Sequence, residues 1–285
     1  IICKKDNNGK MNISKVIKIP KKIRENDLIK FFKKKNLEEL IKIYKSSREL
    51  SVNEIVSGNL PPYPPNLQDL YRLYQFVILN KRTTILEFGS GWSSLIFNLA
   101  LSENKKKYSK EIKQLRRNTP FELFVLENKK KYLNQSKNRI KRFRDKLGQD
   151  KFSSKINWHF SEVVMDTINN KYCTKYKKLP LCSPDLIYLD GPNLFTVKNK
   201  INNFTTDHKD LMPMVGDIIK IEYFLTPGTI IITDGRTANA QFLRDNFQRN
   251  WVYEYSKEFD QSLFYLNSEC LGKWNKLQLE FYKKI

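Results

Sequence analysis

Along residues 26–46 apolar positions recur at helical spacing, at Leu28, Ile29 and Phe32 and then at Leu37, Leu40, Ile41 and Tyr44. The pattern predicts two short amphipathic helices split near Asn36. It stops at Leu60-Pro-Pro-Tyr-Pro-Pro-Asn66, where four prolines fix φ and remove backbone donors. The expected boundary falls there, between an N-terminal helical extension (1–60) and a main domain (61–285). Residues 67–80 read as a helix with Leu70, Leu73, Tyr74, Val77 and Ile78 on one face.

Beyond this helix, strands and helices alternate. Strands are predicted at 83–88, 121–126, 156–160, 185–189 and 229–233, the last two being short apolar runs bounded by Pro and Gly. Helices are predicted at 93–101, 129–147, 216–225 and 237–247, and late strands at 251–255 and 262–266. A hairpin is expected across Cys173–Cys182, and 271–285 is open between an added strand and a tail. This order implies an α/β fold, a doubly wound and mostly parallel sheet of Rossmann-like type.

Composition narrows the picture only a little. A formal net charge of +22 suits a nucleic-acid or other anionic surface. Against that, Lys, Asn, Ile, Tyr and Phe are abundant throughout, as translation of AT-rich DNA gives, and the lysines are spread along the chain. The densest insertion, Lys105–Arg117, reads as a solvated helix or as a contact for an anionic partner. No apolar run approaches the roughly 20 residues that span a bilayer, so no membrane span is expected. The chain starts at Ile1 with its first methionine at Met11, and residues 1–10 read as an upstream fragment. Cys3, Cys173, Cys182 and Cys270 form no CxxC pair, which points to reduced thiols and a cytoplasmic protein.

The segment Ile85-Leu-Glu-Phe-Gly-Ser-Gly-Trp-Ser-Ser94 carries the most chemistry, an apolar strand running through two glycines into a helix. Such a turn lets the backbone approach a ligand and offers free N–H groups at the crevice outside the strand ends. Glu127 closes the second strand, where an acid can accept hydrogen bonds from both hydroxyls of a ribose. An ordinary tight turn followed by a surface Glu is the alternative.

Over roughly residues 67–267 the chain resembles the class I methyltransferase family, whose first motif is an acid followed by GxG, here Glu87, Gly89 and Gly91. The resemblance implies S-adenosylmethionine as cofactor. It assigns Glu87 to the methionine ammonium, Gly89, Ser90 and Gly91 with Trp92 and Ser93 to the turn beneath the cofactor, and Glu127 to the ribose. It also assigns Ser161, beside Glu162, to the adenine, with Asp190 at the cofactor's edge. Many members carry a third glycine where this chain has Trp92-Ser93, and a GxGxxG dinucleotide fingerprint would need glycine at Ser94. An aminopropyl transferase, which uses a related cofactor, stays open.

Asp190 and Asp234 end the fourth and fifth strands and should face one crevice as candidate catalytic residues. Two carboxylates there could hold Mg²⁺ and orient a substrate hydroxyl, which resembles small-molecule O-methyltransferases. That family has Asn or Asp after the second acid, and this chain has Gly235. The competing role for Asp190 is general base or substrate anchor. Arg236 could clamp a carboxylate, phosphate or acidic sugar, and His208, in a loop expected over the substrate, is a candidate base. His159 reads as a sheet residue.

The expected activity is methyl transfer from S-adenosylmethionine to a hydroxyl of a small molecule or glycan. The alternatives are a nucleic-acid methyltransferase using its basic helices and a non-catalytic Rossmann-like binding module.

Overall fold

The computed structural model describes residues 12–48, 51, 54, 63–208 and 214–283. The readings made for residues 1–10, 60–62, 209–210 and 284–285 lie outside the described residues.

Helix α1 (Glu25–Lys34) and α2 (Glu38–Ser46) are separated at Asn36, whose φ of 57° breaks the helix where the sequence predicted a split. Helix α3 (Leu67–Leu79) starts on Asn66, whose side chain accepts from the Gln68 and Asp69 amides. After it come β1 (Thr84–Phe88), α4 (Trp92–Tyr108), β2 (Glu122–Glu127), α5 (Lys130–Leu147) and β3 (Lys155–Phe160). A hairpin of β4 (Val163–Ile168) and β5 (Lys171–Tyr176) precedes β6 (Leu186–Leu189), a single turn α6 (Asp217–Lys220), β7 (Ile230–Asp234) and α7 (Thr237–Asn246). The chain ends in β8 (Trp251–Ser256), β9 (Gln261–Leu266) and α8 (Gly272–Lys283).

Seven strands form one sheet in the order β3-β2-β1-β6-β7-β9-β8. The first five pair in parallel, and β9 alone runs against its neighbours β7 and β8. The fold is doubly wound and Rossmann-like, as the alternation of elements implied. From β1 the chain winds outward to β3, then returns to β6 on the other side. The strand order therefore reverses between β1 and β6, and a crevice opens there at the carboxyl ends of the strands.

Both faces of the sheet are buried, which is why its central strands are apolar without alternation. On one face Ile85, Val125, Leu186 and Ile232 share a cluster with Leu28, Phe32, Leu40 and Ile41 of the first two helices and with α3 and α4. On the other, Leu86, Leu126, Ile187 and Ile231 meet Ile218, Ala240 and Leu243. Lys35 ties the N-terminal helices to this body, with Nζ 2.7 Å from Glu103 Oε1 and 2.6 Å from the Tyr74 hydroxyl.

Four elements differ from the sequence reading. Helix α4 continues to Tyr108, because Lys105–Lys107 propagate a helix well and Tyr108 is held in a small cluster with Ile112, Phe121 and Phe281. The hairpin lies earlier than expected, turned by Asn169 and Asn170 at positive φ (49° and 59°), the left-handed pair that a tight hairpin turn requires. The predicted helix at 216–225 shrinks to α6 and a 3-10 turn, since buried Glu222 caps the Gln248 and Arg249 amides instead of sitting on a helix face. The undecided C-terminal stretch is α8, anchored by the Tyr282 hydroxyl donating to Asp185 (2.8 Å).

His159 lies in β3 against the Phe124 ring, as a sheet residue should. Among the described residues no helix is long and apolar enough to cross a membrane.

Candidate active site

A cavity of about 590 Å³ occupies the crevice. Its walls come from the β1–α4 turn, the ends of β2, β6 and β7, one face of α5, and the segment from Tyr63 into α3. Of the residues singled out from the sequence, Gly89, Ser90, Gly91, Trp92, Ser93, Glu127, Asp190, Asp234 and Arg236 all line it. Glu87, Ser161 and His208 do not.

The turn after β1 is shaped by backbone proximity. Gly89 adopts φ +101°, and a Cβ there would meet the Gly191 amide at 3.1 Å. The reverse contact is tighter, for a Cβ on Gly191 would reach Gly89 N at 2.6 Å, so the ends of β1 and β6 touch main chain to main chain. Gly91 needs no unusual backbone. A Cβ on it would find only Ser93 Oγ, at 3.7 Å, so the space before it is open.

Glu87 stands behind this turn, 1% exposed, with both oxygens taken by the Ser93 and Ser94 hydroxyls. Burial pushes its carboxyl up to about 8 against those hydrogen bonds. Its observed contacts are those of a group that holds the turn in shape.

Glu127 faces the cavity from the end of β2. Oε1 accepts from the Asn128 and Lys129 amides, both at 2.8 Å, and Oε2 accepts from the Ser90 hydroxyl at 2.8 Å. Burial raises its pKa and these bonds oppose the rise. The carboxylate is thus aimed and held before any ligand meets it.

The other end of the cavity is acidic. Asp190 is 57% exposed yet set deep among the cavity walls. That enclosure pushes its carboxyl up to about 7, with Arg236 opposing and Asp234 adding to the rise. Water in an open cavity screens such a shift, so the full push belongs to the filled cavity. Arg236 lies 3.9 Å from Asp190 Oδ1 through Nε and donates from Nη2 to the Asp190 and Pro192 carbonyls (2.7 and 3.2 Å). Asp234 accepts from the Tyr188 hydroxyl at 2.9 Å, and burial raises its pKa. Asp69, on the first turn of α3, completes the group; burial first and Asp234 second push it up to about 7.

The expectation of Mg²⁺ between Asp190 and Asp234 is not supported. A guanidinium flanks the first carboxylate, a tyrosine hydroxyl engages the second, and Gly235 brings no ligand. Magnesium asks for six oxygen ligands, and no group of three or more His, Cys, Asp or Glu among the described residues could hold a metal.

Ser161 turns away to the hairpin, where its hydroxyl accepts from the Lys178 amide (2.9 Å), and Glu162 pairs with Lys177 (2.8 Å). The His208 amide donates to the Thr206 carbonyl (2.8 Å), within a loop whose next residues, 209–213, lie outside the described ones.

Sequence reasoning missed two walls. Tyr63 to Asn66, read as a boundary, flank the acidic end together with Asp69, Leu70 and Leu73. Tyr132, Gln135, Ser136 and Arg139 of α5 form the other. Their spacing of i, i+3, i+4 and i+7 is one helical stripe, a signal present in the sequence but overshadowed by the inward-facing Leu133, Ile140 and Phe143 of a basic helix, which account for its buried face without it.

No protein-family model and no curated protein matches the chain. Among solved structures the chain is similar to the O-methyltransferase TomG from Streptomyces achromogenes, involved in tomaymycin synthesis and crystallised with SAM. Identity is 12%, the match covers 81% of this chain and 96% of that one, and the TM-score is 0.40. It is also similar to an O-methyltransferase from Bacillus cereus in complex with SAH, at 15% identity, 88% and 93% coverage and a TM-score of 0.39. Neither likeness bears on the chemistry of the cavity, which rests on the contacts above.

Proposed function

We propose that this chain is an S-adenosylmethionine-dependent methyltransferase acting on a hydroxyl of a small molecule or glycan. The observation that carries the reading is Glu127, a buried carboxylate aimed by three donors into a cavity floored by the Gly89–Gly91 turn. That arrangement suits a nucleoside whose ribose hydroxyls donate to Glu127 while the chain beyond crosses the glycines.

When bound, the cofactor supplies a sulfonium methyl group, whose bond to sulfur breaks as the acceptor oxygen attacks. The protein's part is to hold the acceptor in line, accept its proton and keep water out. Asp190 is the base in this reading. A carboxyl near 7 is a better match for a hydroxyl proton at neutral pH than an ordinary aspartate, and Arg236 beside it steadies the carboxylate before transfer. Tyr63, Pro64 and Pro65 with Leu70 offer an aromatic and apolar wall for the acceptor's body, with Asp69 and Asp234 as hydrogen-bond acceptors for its further hydroxyls. Glu87 shapes the turn from behind.

The test is calorimetric titration with S-adenosylmethionine and with S-adenosylhomocysteine, using NAD as control. Binding in the micromolar range, on the order of −8 kcal/mol, is expected for both and not for NAD. Glu127→Ala should weaken it by about 100-fold, the loss of two charge-assisted hydrogen bonds. Absence of binding by either sulfur nucleoside overturns the reading.

A further inference from the structure

Arg139 is the cation in the cavity wall that the proposed chemistry leaves without a task. It projects from α5 onto the Trp92 ring, with its guanidinium carbon 3.9 Å from the ring centre. Among the described residues its hydrogen bond to a neighbour is a long contact from Nη1 to Ser136 Oγ, 3.5 Å. Among the described residues, no carboxylate lies within 4.0 Å of it. A guanidinium that packs on a ring keeps N–H donors at its edge with which to meet a ligand. Burial lowers the arginine to about 10, with Arg142 adding to the fall and Glu87 opposing it, so the group stays charged at neutral pH.

Two features around it favour an anion, and a third suits an ammonium group beside one. Trp92 is the first residue of α4, so Arg139 stands over the positive end of a 17-residue helix. Ser136, one turn earlier on the same stripe, offers a hydroxyl. Gln135 also lines the cavity, and its Oε1 is buried without a partner, an acceptor suited to an ammonium group. The carboxylates Asp69, Asp190 and Asp234 are carried by other elements, α3 and the ends of β6 and β7. The cavity thus sets an anion-binding arginine apart from the hydroxyl-binding Glu127 and from the acidic acceptor end.

We propose that Arg139 binds the carboxylate of the amino-acid end of the cofactor, making the site selective for a nucleoside that carries that group. This rests on the methyltransferase reading. It also separates the chain from aminopropyl transfer, which uses the decarboxylated cofactor and gives a half-buried guanidinium no anion to meet.

The probes are S-adenosylhomocysteine and 5′-methylthioadenosine, which shares the nucleoside and thioether but lacks the amino acid. Calorimetry on the full chain should find the first bound more tightly than the second. Arg139→Met, which keeps an apolar stem on Trp92, should weaken S-adenosylhomocysteine by about 10- to 100-fold and leave 5′-methylthioadenosine within about threefold. Arg139→Lys should recover part of the loss. Equal weakening of both nucleosides by Arg139→Met means a structural role and overturns the assignment, as does no weakening of either. A melting curve for each variant checks that it is folded. If the wild-type chain binds neither nucleoside, the methyltransferase reading itself fails and the assignment fails with it.

Discussion

The two carboxylate groups of the cavity are built on opposite plans. Glu127 is 3% exposed and held by three protein donors, so its aim is set in advance. Asp190 and Asp69 have few donors, stand near further acids and are pushed up to about 7. In the proposed reading a carboxylate of the first kind recognises and one of the second kind exchanges protons. Burial raises all three, and what differs is what opposes the rise: hydrogen bonds on Glu127, the Arg236 charge on Asp190 and the Arg72 charge on Asp69.

Exchanging the charge of one end sharpens this contrast most. Asp190→Asn should lower kcat by about 100-fold or more, while binding of S-adenosylhomocysteine stays within about threefold. In the wild-type enzyme kcat should rise with pH through about 7, as the Asp190 carboxyl gives up its proton, and the variant should lose that limb. A parallel loss of cofactor binding would dissolve the distinction between the two ends.

A middle-sized effect concerns stability. Glu87 has a folded pKa of about 8, above its unfolded value, so the fold favours its protonated form. Its contribution is complete below the ordinary carboxylate range, about 4.3, and is lost as pH rises through about 8. The Tm should therefore fall across that window. Glu87→Gln should flatten the fall, and an unchanged slope in that variant would mean that other buried acids, such as Asp217, carry it.

The smallest effect lies at the mouth. Tyr63 is 56% exposed, so Tyr63→Ala should raise KM for the acceptor by only a few-fold and leave kcat and cofactor binding alone. A drop in kcat would move Tyr63 from the wall to the reacting centre.

Much of the fold was legible, because a buried parallel sheet announces itself in apolar runs such as Leu186–Leu189 and Ile230–Asp234. The glycine turn and Glu127 were legible for the same reason, since each sits where a strand ends. What was hidden lies on helices. Arg139 and Gln135 share α5 with solvent-facing lysines, and no local rule separates a guanidinium stacked on Trp92 from one in water. Asp69 was masked by the apolar face of α3, which accounts for that helix without it. The hairpin was displaced because its turn uses two asparagines instead of glycine.

In the proposed reading the wall that meets the acceptor is made largely before the sheet begins, from Tyr63 to Leu73, whereas the glycine turn and Glu127, which meet the donor, belong to strand ends. Two tasks are thereby written in separate stretches of the gene. On that reading, recombination or redesign of some ten codons upstream of the first strand would change which acceptor fits, while the machinery that handles the donor is inherited intact.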